Sequence, residues 1–206
     1  RTYEIGAKAL LLDGRLSTEA ALFYSQYLDY QSAQLLVITD PTTPSITANA
    51  GEAEIQGVEW AAQLSVTEQF SVGFSGNYTE TELVKISATQ QKYVPGDPLD
   101  NTPKYSLSLN TKLDFEGPLG AAGFAGFDYN IQGGSVAVNA ARTPSRVESD
   151  PLRLLNAQLG LQWSSFSARL FGRNLLNEDA LTVPTLSTSF IQNRPRTWGV
   201  DFNYTF

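Results

Sequence analysis

Along most of this sequence the side chains alternate in character with a period of two, and the charged ones keep to one parity. About nine segments show it: 3–12, 15–27, 53–66, 69–79, 104–115, 121–132, 153–163, 166–174 and 196–206. Strict alternation is the signature of β-strands, whose successive side chains point to opposite faces of a sheet. One parity collects Ile5, Ala7, Ala9 and Leu11, then Leu16, Ala20, Leu22 and Tyr24, then Val58, Trp60, Ala62 and Leu64. Phe70, Val72, Phe74, Leu107, Leu109, Leu113, Phe127, Tyr129, Ile131, Leu155, Leu159, Leu161, Trp163, Val200, Phe202 and Tyr204 continue it. The other parity holds Glu4, Lys8, Glu19, Glu59, Lys112, Asp114, Asp128, Arg169, Arg173 and Asp201. No segment reads as a helix, so the chain is expected to be all-β.

The connections alternate too, in length. "DG" at Asp13-Gly14, "TEQ", "EGPLG" and "SS" have the chemistry of tight hairpin turns. Between them lie "TDPTTPSITANAG", "ELVKISATQQKYVPGDPLDNTP", "GGSVAVNAARTPSRVESDP" and "LNEDALTVPTLSTSFIQNRP". A meander of this kind carries all its tight turns at one end and all its long loops at the other, as membrane barrels do.

An apolar face free of charge must be covered by a second sheet, as in a β-sandwich, or by lipid. The composition, 42% hydrophobic over 206 residues, is too apolar for disorder, yet no run is long enough for a membrane helix. Four charges break the parity rule, Glu54, Glu80, Arg153 and Arg196, and all four sit at the long-loop ends of their strands. There a lipid-facing charge costs about 0–1 kcal/mol, against about 2–4 for Arg or Lys at the midplane. Aromatic residues gather toward both ends, Phe70, Phe115, Trp163, Phe166 and Phe206 by the tight turns and Tyr3, Tyr78, Tyr105 and Trp198 by the long loops. Two such girdles favour a transmembrane antiparallel β-barrel over the sandwich.

Several functions are excluded by residue type. With 0 Cys, 0 His and 0 Met the segment offers no disulfide, no thiolate or histidine zinc site, no His-based triad and no His or Met haem ligand. No enzymatic constellation and no cofactor site is expected. The net charge of −7 argues against a nucleic-acid partner. The chain opens on Arg1, without a signal-peptide pattern, and reads as an internal or processed segment.

Candidate contacts lie in the long loops, which carry Tyr93, Asp97, Asp100, Arg142, Arg146, Glu148, Asp150, Asn193 and Arg194. Arg142, Arg146 and Arg194 suit a carboxylate- or phosphate-bearing ligand, because the guanidinium fork matches both groups; solvated loop charges, or bridges to lipopolysaccharide, are the commoner use of such residues. Tyr93 is the aromatic candidate. In "NAGEAEIQGVEW", Glu54 and Glu59 have opposite parity and cannot converge on one cation. Lys112, Asp114, Arg169, Arg173 and Asp201 on the polar face are expected to hold an interior element or neighbouring strands.

Five phrases, "YEIGAKALLLDGRLSTEAALFY", "NAGEAEIQGVEW", "GDPLDNTPKYSLSL", "LFGRNLLNEDAL" and "PRTWGVDFNYTF", together resemble the C-terminal part of a TonB-dependent outer-membrane receptor, over 3–206. The resemblance implies a barrel of the twenty-two-stranded, plugged type, of which residues 1–206 would supply about the last nine strands. It also implies an outer-membrane location, a TonB complex acting through a plug and coupling box outside this sequence, and a scarce nutrient as cargo. A ferric siderophore is the default, with cobalamin and oligosaccharide as alternatives, and a porin or secretion translocator as the rival class. Trp198, Phe202, Tyr204 and Phe206 are similar to the terminal signal read by the barrel-assembly machinery.

Overall fold

The computed structural model describes residues 1–37, 40, 42–88, 90, 92–138, 146–183 and 191–206. Its long strands are β1 (Thr2–Leu11), β2 (Leu16–Leu35), β3 (Ser45–Ser65), β4 (Phe70–Ile86), β5 (Tyr105–Glu116) and β6 (Ala122–Gln132). Short β7 (Val136–Val138) and β8 (Arg146–Glu148) precede β9 (Leu152–Gln162) and β10 (Phe166–Arg173). Short β11 (Leu181–Val183) and β12 (Ile191–Gln192) precede β13 (Thr197–Tyr204). The nine long strands form one sheet in the order β1-β2-β3-β4-β5-β6-β9-β10-β13, each antiparallel to its neighbours. The short strands make two separate hairpins inside the long connections.

Each segment read from the alternation is a strand. The differences lie at the long-loop ends, where β2, β3 and β4 run on to Leu35, back to Ser45 and on to Ile86. Beyond the apolar slab alternation fades, while the backbone ladder continues from Gln31 opposite Asn49 to Leu35 opposite Ser45. The register slips around Tyr30 and Gly51. Gly51 has φ 123°, and a Cβ there would lie 1.9 Å from the Lys85 carbonyl oxygen, so only glycine fits this bulge.

The apolar parity forms one continuous face. A single row runs Leu11, Leu16, Leu64, Val72, Thr111, then Phe127, Ala157, Gly172, Trp198. It starts beside a tight turn on β1 and finishes near the long-loop end of β13. A row that leaves β1 beside its tight turn and meets β13 near its long-loop end fits strands tilted by about 35–45°, as in membrane barrels.

No second sheet covers this face among the described residues. Ile5 is 72% and Phe202 67% exposed, and Leu22, Phe74 and Val200 also stand open. A β-sandwich would supply such a cover. The opposite face carries the charges and polar groups, but also Phe23, Phe124 and Phe171. Each lies over its cross-strand partner glycine, Gly57, Gly160 and Gly199, where a Cβ would strike the ring. The aromatic ring fills space that the glycine leaves empty.

Candidate functional site

The long-loop end is built differently from the wall below it. The connection from β4 to β5 turns back over the polar face, so that its Tyr93 and Leu99, joined by Val138 of β7, pack on Ala50, Ala53 and Leu83, with Tyr30, Ile55 and Ile86 around them. Ala50, Ala53 and Leu83 are completely buried. This cluster is the hydrophobic core of the described residues, and it lies at the mouth.

Three aspartates, of which Asp97 is buried, tie the loops to one another. Asp97 is 1% exposed; its Oδ2 accepts from the Val94 amide at 2.8 Å, its carbonyl accepts from Leu83 N at 2.8 Å, and Arg146 pairs with its Oδ1. Asp100 accepts from the Tyr93 hydroxyl at 2.9 Å and the Val138 amide at 3.0 Å, and pairs with Lys92. Asp150 accepts from Leu181 N at 3.1 Å and returns its own amide to Leu181 O at 3.0 Å. Three successive long loops are therefore joined side by side; for the buried Asp97 the join also satisfies a carboxylate that water cannot reach.

The four loop candidates separate on this geometry. Tyr93 is 5% exposed, and burial, reinforced by Asp100, pushes its phenol well above the ordinary tyrosine value, so the hydroxyl stays a donor. Arg146 keeps a side chain 52% exposed while engaging Asp97. Arg194 is exposed, its carbonyl held by the side-chain amides of Asn174 at 2.9 Å and Asn193 at 3.3 Å. Arg142 lies outside the described residues.

Asn174, outside the set of loop candidates, is the knot of the connection after β10. It is 4% exposed with φ 49°, takes Asn156 Oδ1 on its amide at 2.9 Å, and exchanges bonds with the backbone of Glu178 at 2.8 and 2.9 Å. The phrase "NLLNEDAL" carried a signal, since asparagine is the non-glycine residue most at ease in a left-handed turn.

Below the mouth, the polar face pairs many of its own charges. Lys8 meets Glu19 at 3.0 Å, Lys112 meets Asp114 at 2.8 Å, and Arg169 Nε meets Asp201 at 3.0 Å. Arg169 and Arg173 flank the Phe171 ring at 5.6 and 5.1 Å. Glu59 faces this side beside Asn77, while Glu54 faces outward opposite Glu82. On the outer rim a polar cavity of about 670 Å³ is lined by Glu54, Glu80, Glu82, Glu148 and Lys104.

At the tight-turn end Trp163, Phe166 and Phe202 stack at 5.6 and 6.0 Å, and Tyr204 meets Phe206 edge-on at 5.1 Å. Trp198, Phe202, Tyr204 and Phe206 are all strongly exposed, on a strand paired only to β10.

A single tilted antiparallel sheet, apolar outside and polar inside, with turns at one end and interlocked loops at the other, is a wall segment of a transmembrane β-barrel. Residues 1–175 match the family described as TonB dependent receptor-like, beta-barrel, and the chain belongs to that family. The probable TonB-dependent siderophore receptor PiuA of Acinetobacter baumannii is 27% identical over 163 residues, 76% of this chain and 21% of that protein. The metal-pseudopaline receptor CntO of Pseudomonas aeruginosa is 33% identical over 56% of this chain and 15% of its own length. The pyoverdine outer membrane receptor FpvA of Pseudomonas aeruginosa, solved bound to pyoverdine, superposes with a TM-score of 0.73 at 22% identity, over 100% of this chain and 29% of that one. This chain thus spans about a fifth of the first relative's length.

Proposed function

We propose that this chain forms part of the barrel wall and extracellular mouth of an outer-membrane transporter that takes up a scarce nutrient, a ferric siderophore first among candidates. The observation that carries the reading is the interlocked loop assembly at the mouth of a family member, since relatives of this barrel type are named for siderophore and metal-chelate binding. Residues 1–206 would supply the C-terminal portion of the barrel. Transport would be energised by the TonB complex acting on a plug, and insertion would be guided by the barrel-assembly machinery reading Trp198, Phe202, Tyr204 and Phe206. Outer-membrane lipid and lipopolysaccharide would surround the wall.

Among the ligand candidates, Arg146 and Arg194 offer accessible guanidiniums for an anionic chelate, and Arg142 belongs to the same loop as Arg146. Tyr93 would act by shaping the loop rather than by touching cargo. No catalytic role is proposed. Binding of ferric and metal-free siderophores to the intact protein, read by intrinsic fluorescence and calorimetry, tests the reading. Saturable binding of a ferric chelate supports it; passive diffusion of small solutes through the reconstituted protein, without chelate binding, would mark a porin instead.

A further inference from the structure

The four charges that break the parity rule, together with Glu82, are sorted around the rim. Glu54, Glu80 and Glu82 stand on β3 and β4, where the Tyr78 hydroxyl donates to Glu80 at 2.9 Å and Gln56 adds a bond at 3.3 Å. Arg153 and Arg196 stand at the long-loop ends of β9 and β13. Neither is in an ion pair with a described carboxylate, the neighbouring Glu178 and Asp179 included. Arg196 makes one long contact, Nη1 to Leu175 O at 3.5 Å.

The register brings these two arginines to one depth. Ala157 and Trp198 share a row through Gly172. Arg153 stands four residues toward the mouth from Ala157, and Arg196 two residues from Trp198. With strands tilted about 35° the row itself rises ~5–6 Å between β9 and β13, which cancels the difference and leaves the Cα atoms roughly 12 Å apart. Two arginine side chains span that gap. Beneath them, on the same outward face, lie Leu155 and the 61% exposed Trp198, and the 51% exposed Leu176 follows β10, the strand that runs between β9 and β13. The Asn174 knot holds the spacing: it bonds Asn156, three residues from Arg153, and the carbonyl of Arg194, two residues from Arg196.

We propose that Arg153 and Arg196 form a two-armed clamp on the outer rim for the phosphate groups of a lipid headgroup in the facing leaflet, with Leu155, Leu176 and Trp198 receiving its acyl chains. Unpaired guanidiniums at headgroup depth are matched to phosphate in charge and fork geometry, and the acidic β3–β4 sector would repel the same group. The clamp rests on the membrane orientation proposed above.

The test uses the intact protein in nanodiscs of phosphatidylcholine doped with bisphosphorylated lipid A, with retained lipid A counted by native mass spectrometry after dilution into detergent. The wild type is expected to hold lipid A, R153A/R196A to lose about tenfold or more of it, and R173A, on the opposite face, to match wild type. Equal retention by R153A/R196A, equal retention of dephosphorylated lipid A, or displacement by millimolar inorganic phosphate would overturn the clamp, the last by marking a free-anion site. Insertion is scored separately by the heat-dependent gel shift of a folded barrel. Insertion without selective retention refutes the clamp alone, and failure to enter any bilayer refutes the membrane orientation with it.

Discussion

The wall and the mouth of this chain are the same sheet held together in two ways. In the wall the backbone ladder is complete from β1 to β13, while side chains such as Ile5, Phe74 and Phe202 meet nothing from the protein. In the proposed membrane setting lipid would supply their apolar surroundings, and the ladder pairs the amides of each inner strand with its two neighbours. At the mouth water returns, and the chain must build its own interior from Leu83, Tyr93, Leu99 and Val138 and satisfy Asp97 and Asp100 by internal bonds. A substitution should therefore be read by its region before its residue type.

The largest expected effect is in the wall. Phe74→Arg places a charge near the middle of the lipid-facing slab and is expected to cost about 2–4 kcal/mol in refolding into vesicles, while Asn110→Arg on the polar face costs little. Equal effects would break the assignment of faces. Next comes truncation: Leu83→Ala opens a cavity in the mouth core and is expected to destabilise it by about 2–4 kcal/mol, seen as faster hydrogen exchange over 83–101. Leu113→Ala in the wall, where lipid fills the space, should fall well below that.

Asp97→Asn keeps the shape but weakens the join between two loops. A loss of about 1–2 kcal/mol is expected, with exchange rising in 146–148 as well as 92–98. A change confined to the β4–β5 loop would show that the loops are not coupled. The smallest effect is at Tyr93. Because its folded value is raised, its contribution is whole below the ordinary tyrosine value of about 10 and is lost as pH rises through the folded value. Tyr93→Phe should remove that alkaline sensitivity of the mouth and leave the wall unchanged.

Much of this was legible in the residues. The parity of Leu107, Leu109 and Leu113 against Lys112 and Asp114 marks two faces wherever one of them meets lipid, and the tight turns mark strand ends. The upper parts of β2 to β4 are less legible, because there lipid no longer selects one face and the burial of Ala50 and Leu83 depends on loops from elsewhere in the chain. The loop candidates were chosen by chemistry alone, so Tyr93 was read as a contact, although the structure gives its hydroxyl to Asp100. Nothing local in "YVPGDPLD" says that Asp97 will be met by an arginine 49 residues away.

The sequence by itself determined the strands, their two faces and the end at which the loops gather, since these follow from a period and a sign of hydropathy that each residue carries alone. Only the tertiary structure decided which loops lock together, how Asn174 sets the rim, and that Arg153 and Arg196 come to one depth. Those depend on register and tilt, which add up strand by strand across the sheet and are written in no single segment.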